Sequence, residues 1–276
     1  IIVRVSERYG LEALACLAAW FGYLWMAFIL LFVSASFLCE IYRILACLSG
    51  WVLRNDAHAL LPSAGIFLLI PAAAALGAVC YGAIEARSIR SEPLVVQSAK
   101  IPRETGRVRI VQISDVHVGI LVRGDYLAEI LRKVREAEPD LIVSTGDLVD
   151  GQGDDLTEAA LQLREIRPRY GKFAVTGNHE FYAGIDEAVA FTEKAGFTML
   201  RGETATVAGA VDLAGVDDPG VHRPGAPEDD SDREVLSRAD AGRFRILLKH
   251  QPRVEKEAPA AFDLQLSGHT HGGQIF

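Results

Sequence analysis

The sequence predicts an α/β domain carried behind two long apolar helices. Three observations lead there. From Val108 to Leu266, short β-branched runs alternate with stretches of helical period. Residues 13–39 and 57–84 contain no charged side chain. Histidine, carboxylate and amide side chains gather just after the strand-like runs.

The first apolar run, Ala13 to Cys39, makes a helix of roughly 40 Å at ~1.5 Å per residue. A bilayer core of ~30 Å needs about 20 residues. The run is too long for a signal-peptide core, and no small-residue cleavage site follows it. Glu40, Arg43 and Trp51 would mark its far interface. A second span is expected over 59–84, with Pro71 kinking it or marking a re-entrant turn. His58, at its edge, reads as an interfacial side chain. Arg4 and Arg8 flank one end of the pair and Arg87, Arg90 and Lys100 the other. That bias places the polar part in the cytoplasm of an inner-membrane, multi-pass protein. The expected division is 1–90 membrane region, 91–106 linker and 107–276 catalytic domain.

The linker holds Pro93 and Pro102, and a short strand is expected at Leu94–Gln97. Val108–Ile113 reads as a buried strand. Asp125–Glu138 follows as a helix, with Leu127, Ile130, Leu131 and Val134 on one face and Pro139 as its stop. Further strands are expected at Leu141–Ser144, Lys172–Val175, Phe197–Leu200, Thr204–Ala208, Val211–Ala214, Arg245–Leu248 and Phe262–Leu266. Helices are expected at Leu156–Ile166, Ile185–Ala195 and Arg233–Ala241, with loop over 217–232. Such alternation implies a mainly parallel sheet with helices on its faces.

The chain is 50% hydrophobic, with a net charge of −8. After residue 90 it carries 22 Lys/Arg against 31 Asp/Glu, so no basic surface offers itself to nucleic acid. A phosphate substrate is still compatible, because bound metals supply local positive charge. The four cysteines (Cys16, Cys39, Cys47, Cys80) all precede the polar part, which therefore has neither disulfide nor thiolate ligand.

Five of the seven histidines fall at predicted strand ends. Asp115 and His117 follow the first strand, and Gly146-Asp147-Leu148-Val149-Asp150 follows the second. Gly177-Asn178-His179-Glu180 follows the third, and His250 and Gly268-His269-Thr270-His271 follow the last two. Ligands of open α/β sheets bind at that carboxyl edge. A lone histidine there is more often a satisfied polar group, and a lone Gly-Asp is usually a turn. The joint pattern instead points to metal. In an extended segment, residues at i and i+2 share a face, so Asp115/His117 and His269/His271 would each aim two donors at one place. Carboxylate, imidazole and amide donors without thiolate suit Mn, Fe, Zn or Co, and the set suffices for two divalent cations.

With those clusters on the page, the sequence resembles the calcineurin-like metallophosphoesterases, over about residues 107–276. The motifs are Asp115-x-His117, Gly146-Asp147-x-x-Asp150, Gly177-Asn178-His179-Glu180, His250 and Gly268-His269-x-His271. The apolar start and the ending Gly272-Gly273-Gln274 look like the membrane-associated bacterial YkuE-like and YaeI-like subgroup, related to UDP-diacylglucosamine hydrolases. The resemblance implies a sandwich of two sheets flanked by helices. It implies one metal on Asp115, His117 and His271, another on Asn178, His250 and His269, and Asp147 bridging them. His179 would serve the leaving oxygen as proton donor, with Glu180 orienting it. The expected activity is hydrolysis of a phosphodiester or pyrophosphate bond, lipid- or nucleotide-linked, by a metal-activated hydroxide. A monoesterase or a non-catalytic scaffold on the same fold is the alternative; a membrane protein whose spans carry the function is disfavoured by the lack of ionisable groups in their interiors. Asp150 reads equally as a helix-start or loop residue, and Asp217 and Asp218 as turn residues. The run 228–232, with His222 beside it, reads as a solvated loop, and Gly151–Asp155 lacks a complete cation-loop spacing. The chain starts at Ile1 without Met and stops at Phe276, so it is expected to be a fragment, with further strands completing the second sheet.

Overall fold

The computed structural model describes residues 2–54, 61–119, 121–122, 124–150, 156–219, 232–254 and 261–273. Among the expected features, His58, Gly151–Asp155, His222, most of the 217–232 loop and Gln274 lie outside these residues. The chain forms two compact units, one ending at Ser88 and one beginning at Ile89.

The N-terminal unit is helical: α1 (Ile2–Arg8), α2 (Glu12–Leu53) and α3 (Ala64–Glu85). Helices α2 and α3 are long and apolar enough to cross a membrane. α1 was not expected, since seven residues are too short to show a helical period. α2 runs well past Cys39. It carries Glu40 and Arg43 within the helix, where Arg43 pairs with Glu40 at 2.7 Å one turn back. α3 passes through Pro71 as one continuous helix, with no re-entrant turn. On α2, Phe21, Trp25, Phe28 and Phe32 stack in a ladder with ring centroids 5.8–6.2 Å apart. Large apolar side chains on these helices, such as Phe21, Val33 and Leu69, face outward. A surface of that kind is at home in lipid rather than in water.

The second unit contains two four-stranded sheets. The first has the order β1 (Ile110–Ile113), β2 (Leu141–Ser144), β3 (Lys172–Ala174) and β4 (Thr198–Met199), all parallel. The second has the order β5 (Glu203–Val207), β6 (Val211–Gly215), β7 (Phe244–Leu248) and β8 (Leu264–Leu266). Here β5 and β6 form an antiparallel hairpin and the remaining pairs are parallel. The helices are α4 (Asp125–Glu136), α5 (Thr157–Glu165), α6 (Asn178–Ala183), α7 (Ile185–Lys194) and α8 (Asp232–Ser237). The alternating side chains of each strand decide the layering. Leu141 and Val143 of β2 meet Leu213, Ile246 and Leu248 of the second sheet, forming a core between the sheets. Ile142, pointing the other way, packs with Leu127, Leu131, Leu163 and Phe191 of the helices. Leu247 and Ala214 turn their backs to the inter-sheet core and meet Val235 and Leu236 of α8. The result is the two-sheet α/β sandwich flanked by helices.

Two expectations fail in this unit. Residues 94–97 join no strand; Leu94 and Val95 are each 82% exposed, because a β-branched run without a neighbour to pair with has nothing to form a ladder on. α6 was missed, since six residues rich in polar and aromatic types carry no helical period. At the back of the first sheet, Lys172 is buried without a carboxylate. Its Nζ donates to Leu163 O at 2.7 Å and to Ala195 O at 2.6 Å, satisfying carbonyls at the ends of α5 and α7. Burial, with Arg164 and Arg167 nearby, lowers its pKa to about 8.

Leu213 has no exposed surface and sits between the sheets. Leu213→Ala should cost about 2–5 kcal/mol of unfolding free energy, read as a lower urea midpoint for the intact chain. Leu161→Ala, at a half-exposed position, should leave the midpoint almost unmoved.

Candidate metal centre

The loops after β1, β2, β3, β7 and β8 all leave the same edge of the sandwich, and each carries site residues. Backbone bonds hold these loops together beyond the strands. Asp115 N–H donates to Gly146 O, His117 N–H to Asp147 O and Val118 N–H to Leu148 O, at 2.9–3.1 Å. Gly268 N–H donates to His250 O at 2.9 Å. Gln112 Nε2 ties the first loop's strand to Thr145 Oγ1 and Ser267 O, both at 2.9 Å.

The pairs at i and i+2 do converge, but not by way of an extended backbone. Asp115 (φ 53°), His117 (φ 51°), Asp147 (φ 52°), His269 (φ 72°) and His271 (φ 49°) all sit in the left-handed region. Asp and His are among the side chains that tolerate it, at a strain of order 1–3 kcal/mol each. Only three other non-glycine residues share it among those described, Arg54, Glu138 and Ala208. Strain is thus concentrated where donors are aimed. The neighbouring glycines answer a second need, close approach. A Cβ at Gly177 would run into Asp147 Oδ1, and one at Gly268 into Ser114 Oγ and Asp115 Oδ2.

The donor atoms of Asp115, His117, Asp147 and His271 lie within 4.8 Å of one another. His271 Nε2 is 3.2 Å from Asp115 Oδ1 and 3.3 Å from His117 Nε2, which is 3.8 Å from Asp147 Oδ2. Beyond Asp147, His250 Nε2 lies 3.2 Å from its Oδ2 and 3.1 Å from His269 Nδ1. Asp147 therefore stands between two groups of nitrogens. Asn178 opens α6, and its Oδ1 is buried with no hydrogen-bond partner, as is His117 Nδ1. Imidazole nitrogens facing one another at bonding distance, together with an orphaned amide oxygen, are the arrangement expected of ligands for cations. The donor set of Asp115, His117, Asp147 and His271 fits a divalent metal ion.

Electrostatics sharpen these roles. Burial pulls the His250 pKa down. The bond and charge of Asp147, with the Thr145 carbonyl 2.8 Å from Nδ1, outweigh it and bring the pKa to about 9. That carbonyl fixes the hydrogen on Nδ1 and leaves Nε2 for the site. Burial pushes the Asp147 carboxyl up, but hydrogen bonding by His250 and by the His179 N–H at 2.8 Å pulls it below the ordinary range. The His117 pKa is lowered, chiefly by burial.

Two acidic residues trade the parts expected of them. Glu180 does not orient the His179 ring. Its carboxylate, 2% exposed, accepts the backbone N–H groups of Gly177 (2.6 Å), Asp147 (2.9 Å), Leu148 (2.7 Å) and Val149 (3.2 Å). It clips the Asp147 loop to the start of α6, and its length is what lets it reach both. Asp150, read as a helix-start or loop residue, holds the ring instead, with Oδ1 2.6 Å from His179 Nδ1. That bond raises the His179 pKa against the opposing effect of burial. The Gly146-Asp147-x-x-Asp150 spacing was the available signal for Asp150. Asp217 and Asp218 also do more than form a turn. Asp217 accepts from Thr176 Oγ1 at 2.8 Å and pairs with Arg201 at 2.8 Å. Asp218 is buried and accepts from Gln251 Nε2 at 3.1 Å.

The comparisons agree with this geometry. The calcineurin-like phosphoesterase family matches residues 108–273. An uncharacterized metallophosphoesterase of Aquifex aeolicus is 41% identical over 196 residues, covering 71% of this chain and 75% of that protein. The uncharacterized metallophosphoesterase YkuE of Bacillus subtilis is 33% identical over 202 residues, covering 70% of this chain and 68% of YkuE. A transmembrane protein with metallophosphoesterase domain from Danio rerio is 35% identical over 188 residues, covering 64% of this chain but 43% of that protein. The chain spans about half the length of two Helicobacter pylori relatives, 52% of each. With a family match over more than half its length and with its motif residues meeting at one sheet edge, the chain belongs to the calcineurin-like phosphoesterases, metal-dependent hydrolases of phosphate esters.

Proposed function

We propose that this chain is a membrane-anchored phosphodiesterase or pyrophosphatase with two divalent-metal positions, one on Asp115, His117 and His271 and one on Asn178, His250 and His269. Asp147 would be the ligand they share. The observation that carries the reading is the place of Asp147, whose Oδ2 faces ring nitrogens of both His117 (3.8 Å) and His250 (3.2 Å). Two divalent cations there, of the Mn, Fe, Zn or Co type, supply Lewis-acid charge to phosphoryl oxygens and make water a nucleophile near neutral pH.

The chain's own residues do the rest. Glu180 holds the Asp147 loop in place, and Thr145 fixes the tautomer of His250. Asp150 engages His179 at Nδ1 and favours the protonated ring, so the second nitrogen, Nε2, can give its proton to the leaving oxygen. The apolar N-terminal unit, residues 1–90, anchors the enzyme as a multi-pass inner-membrane protein, and a linker over 91–106 leads to a cytoplasmic catalytic domain from 107. Relatives named as transmembrane proteins with this domain support the anchoring. An enzyme anchored in this way would act on a lipid- or nucleotide-linked ester.

The substrate class is tested with the full chain and added Mn on bis(p-nitrophenyl) phosphate, p-nitrophenyl phosphate and a nucleotide-linked lipid pyrophosphate. Diester or pyrophosphate cleavage is expected. Preference for the monoester, or inertness toward all three, would overturn the proposal.

Asp147→Asn should abolish turnover and lower the metal content below the two ions per chain expected from elemental analysis. His179→Ala should keep both ions and lose about 10²–10⁴ in kcat. The pH dependence follows from the same ring. His179 must be protonated to act, and its folded pKa is raised, so kcat should fall as pH climbs through that raised value. Asp150→Asn removes the cause of the elevation and should move the alkaline limb to lower pH; an unmoved limb would show that Asp150 has no hold on the proton.

A further inference from the structure

The described residues of the second unit cover almost every large apolar side chain they possess. Besides Leu94, Val95 and Val96 of the linker, the exposed large apolar or aromatic residues are Leu161, Val254 and Tyr182. Tyr182 is the one exposed aromatic ring among them, at 57%. It lies three residues after His179 on α6, which places the two on the same face of that helix. Their rings meet edge to face, with centroids 5.5 Å apart and planes at 70°. His179 also meets the ring of His117 at 4.4 Å, again edge to face. Exposure rises from His117 (17%) through His179 (32%) to Tyr182 (57%), so the ring read as proton donor touches both a less exposed and a more exposed ring.

We propose that Tyr182 is the wall of a leaving-group subsite and that it stacks a planar ring carried by the leaving group, such as an aryl or nucleoside moiety. The inference rests on the phosphoesterase reading of the site and refines its substrate class. The leaving oxygen must come within ~3 Å of the His179 nitrogen that protonates it. Whatever is attached to that oxygen then lies beside His179, on the outward side away from His117. Tyr182 stands there. Stacked rings prefer centroid separations of about 4.5–7 Å, a range open to a ring that leaves past His179. An exposed aromatic face serves a planar group well, because every base or aryl ring presents a π-face whatever its substituents.

The test compares Tyr182→Ala, Tyr182→Leu and Tyr182→Phe with the unmodified full chain, all Mn-loaded and with metal content measured. On bis(p-nitrophenyl) phosphate, Tyr182→Ala should raise KM about tenfold, with a smaller change in kcat and the same metal content. Tyr182→Phe should behave as the parent, and Tyr182→Leu should behave as Tyr182→Ala. Calorimetric titration with a nucleoside monophosphate gives an answer independent of turnover, with the Ala variant binding about tenfold more weakly and the Phe variant unchanged. Equal nucleotide binding by the parent and the Ala variant would overturn the subsite. A fall in kcat alone would show that Tyr182 only supports His179, and full function in the Leu variant would show a greasy contact instead of ring stacking. If no ester is turned over yet nucleotide binding depends on the ring, the hydrolase reading fails and the subsite stands.

Discussion

The site depends on where one carboxylate is held. Asp147 is almost fully buried, in a left-handed backbone conformation, at the end of the central strand β2. Three histidines touch it by different means: His250 through Nε2, His117 more distantly, and His179 through its backbone N–H. Nothing in a strand's own geometry would put a side chain there. Glu180 does so, by taking up three successive N–H groups of the loop from Asp147 to Val149 and a fourth from Gly177. Buried backbone donors need partners, and a single buried carboxylate supplying four of them joins two loops that share no regular ladder. The cost of burying that carboxylate shows in its raised pKa.

The strain at the five donor residues is sustained because the frame beneath them is stiff. The inter-sheet core of Leu141, Val143, Leu213, Ile246 and Leu248 fixes the distance between β2 and β7, and so between Asp147 and His250. The helix-facing core of Leu127, Leu131, Leu163 and Phe191 fixes the opposite face of the first sheet. Packed interiors resist small displacements, so loops a few residues long inherit the rigidity of the strands they leave. A site whose residues come from five separate segments needs that inheritance, since ordering each segment costs conformational entropy.

Asp150 and Glu180 show how a correct motif can hide an incorrect assignment. Both were visible as acidic members of the motifs, yet the residue next to His179 in sequence serves the backbone, and the residue far from it serves the ring. In a helix, adjacent side chains point about 100° apart, so Glu180 is turned away from the ring it follows. Asp150 reaches the ring because the loop after β2 folds over the start of α6.

Much of the molecule was legible in the residues. Hydrophobic period gave β2 its bounds and the larger helices theirs within two or three residues, since burial on one face must repeat along the chain. Two charge-free runs gave the apolar helices, although α2 continues through Glu40 and Arg43, which pair with each other along the helix. Motif spacing named the residues that meet at the sheet edge, because groups able to hold a metal are of few chemical types whatever the backbone does. Short elements escaped or deceived: α6 has no period to read, and Leu94–Gln97 has strand-forming residues without a strand to pair with. What the tertiary structure alone decided was aim. The i and i+2 donors converge through left-handed kinks and not through pleating, and which acid serves which partner is set by loops meeting across the sheet edge. Composition and order determine which groups are available; contacts between distant segments determine their direction, and those distances are not written in any local stretch of sequence.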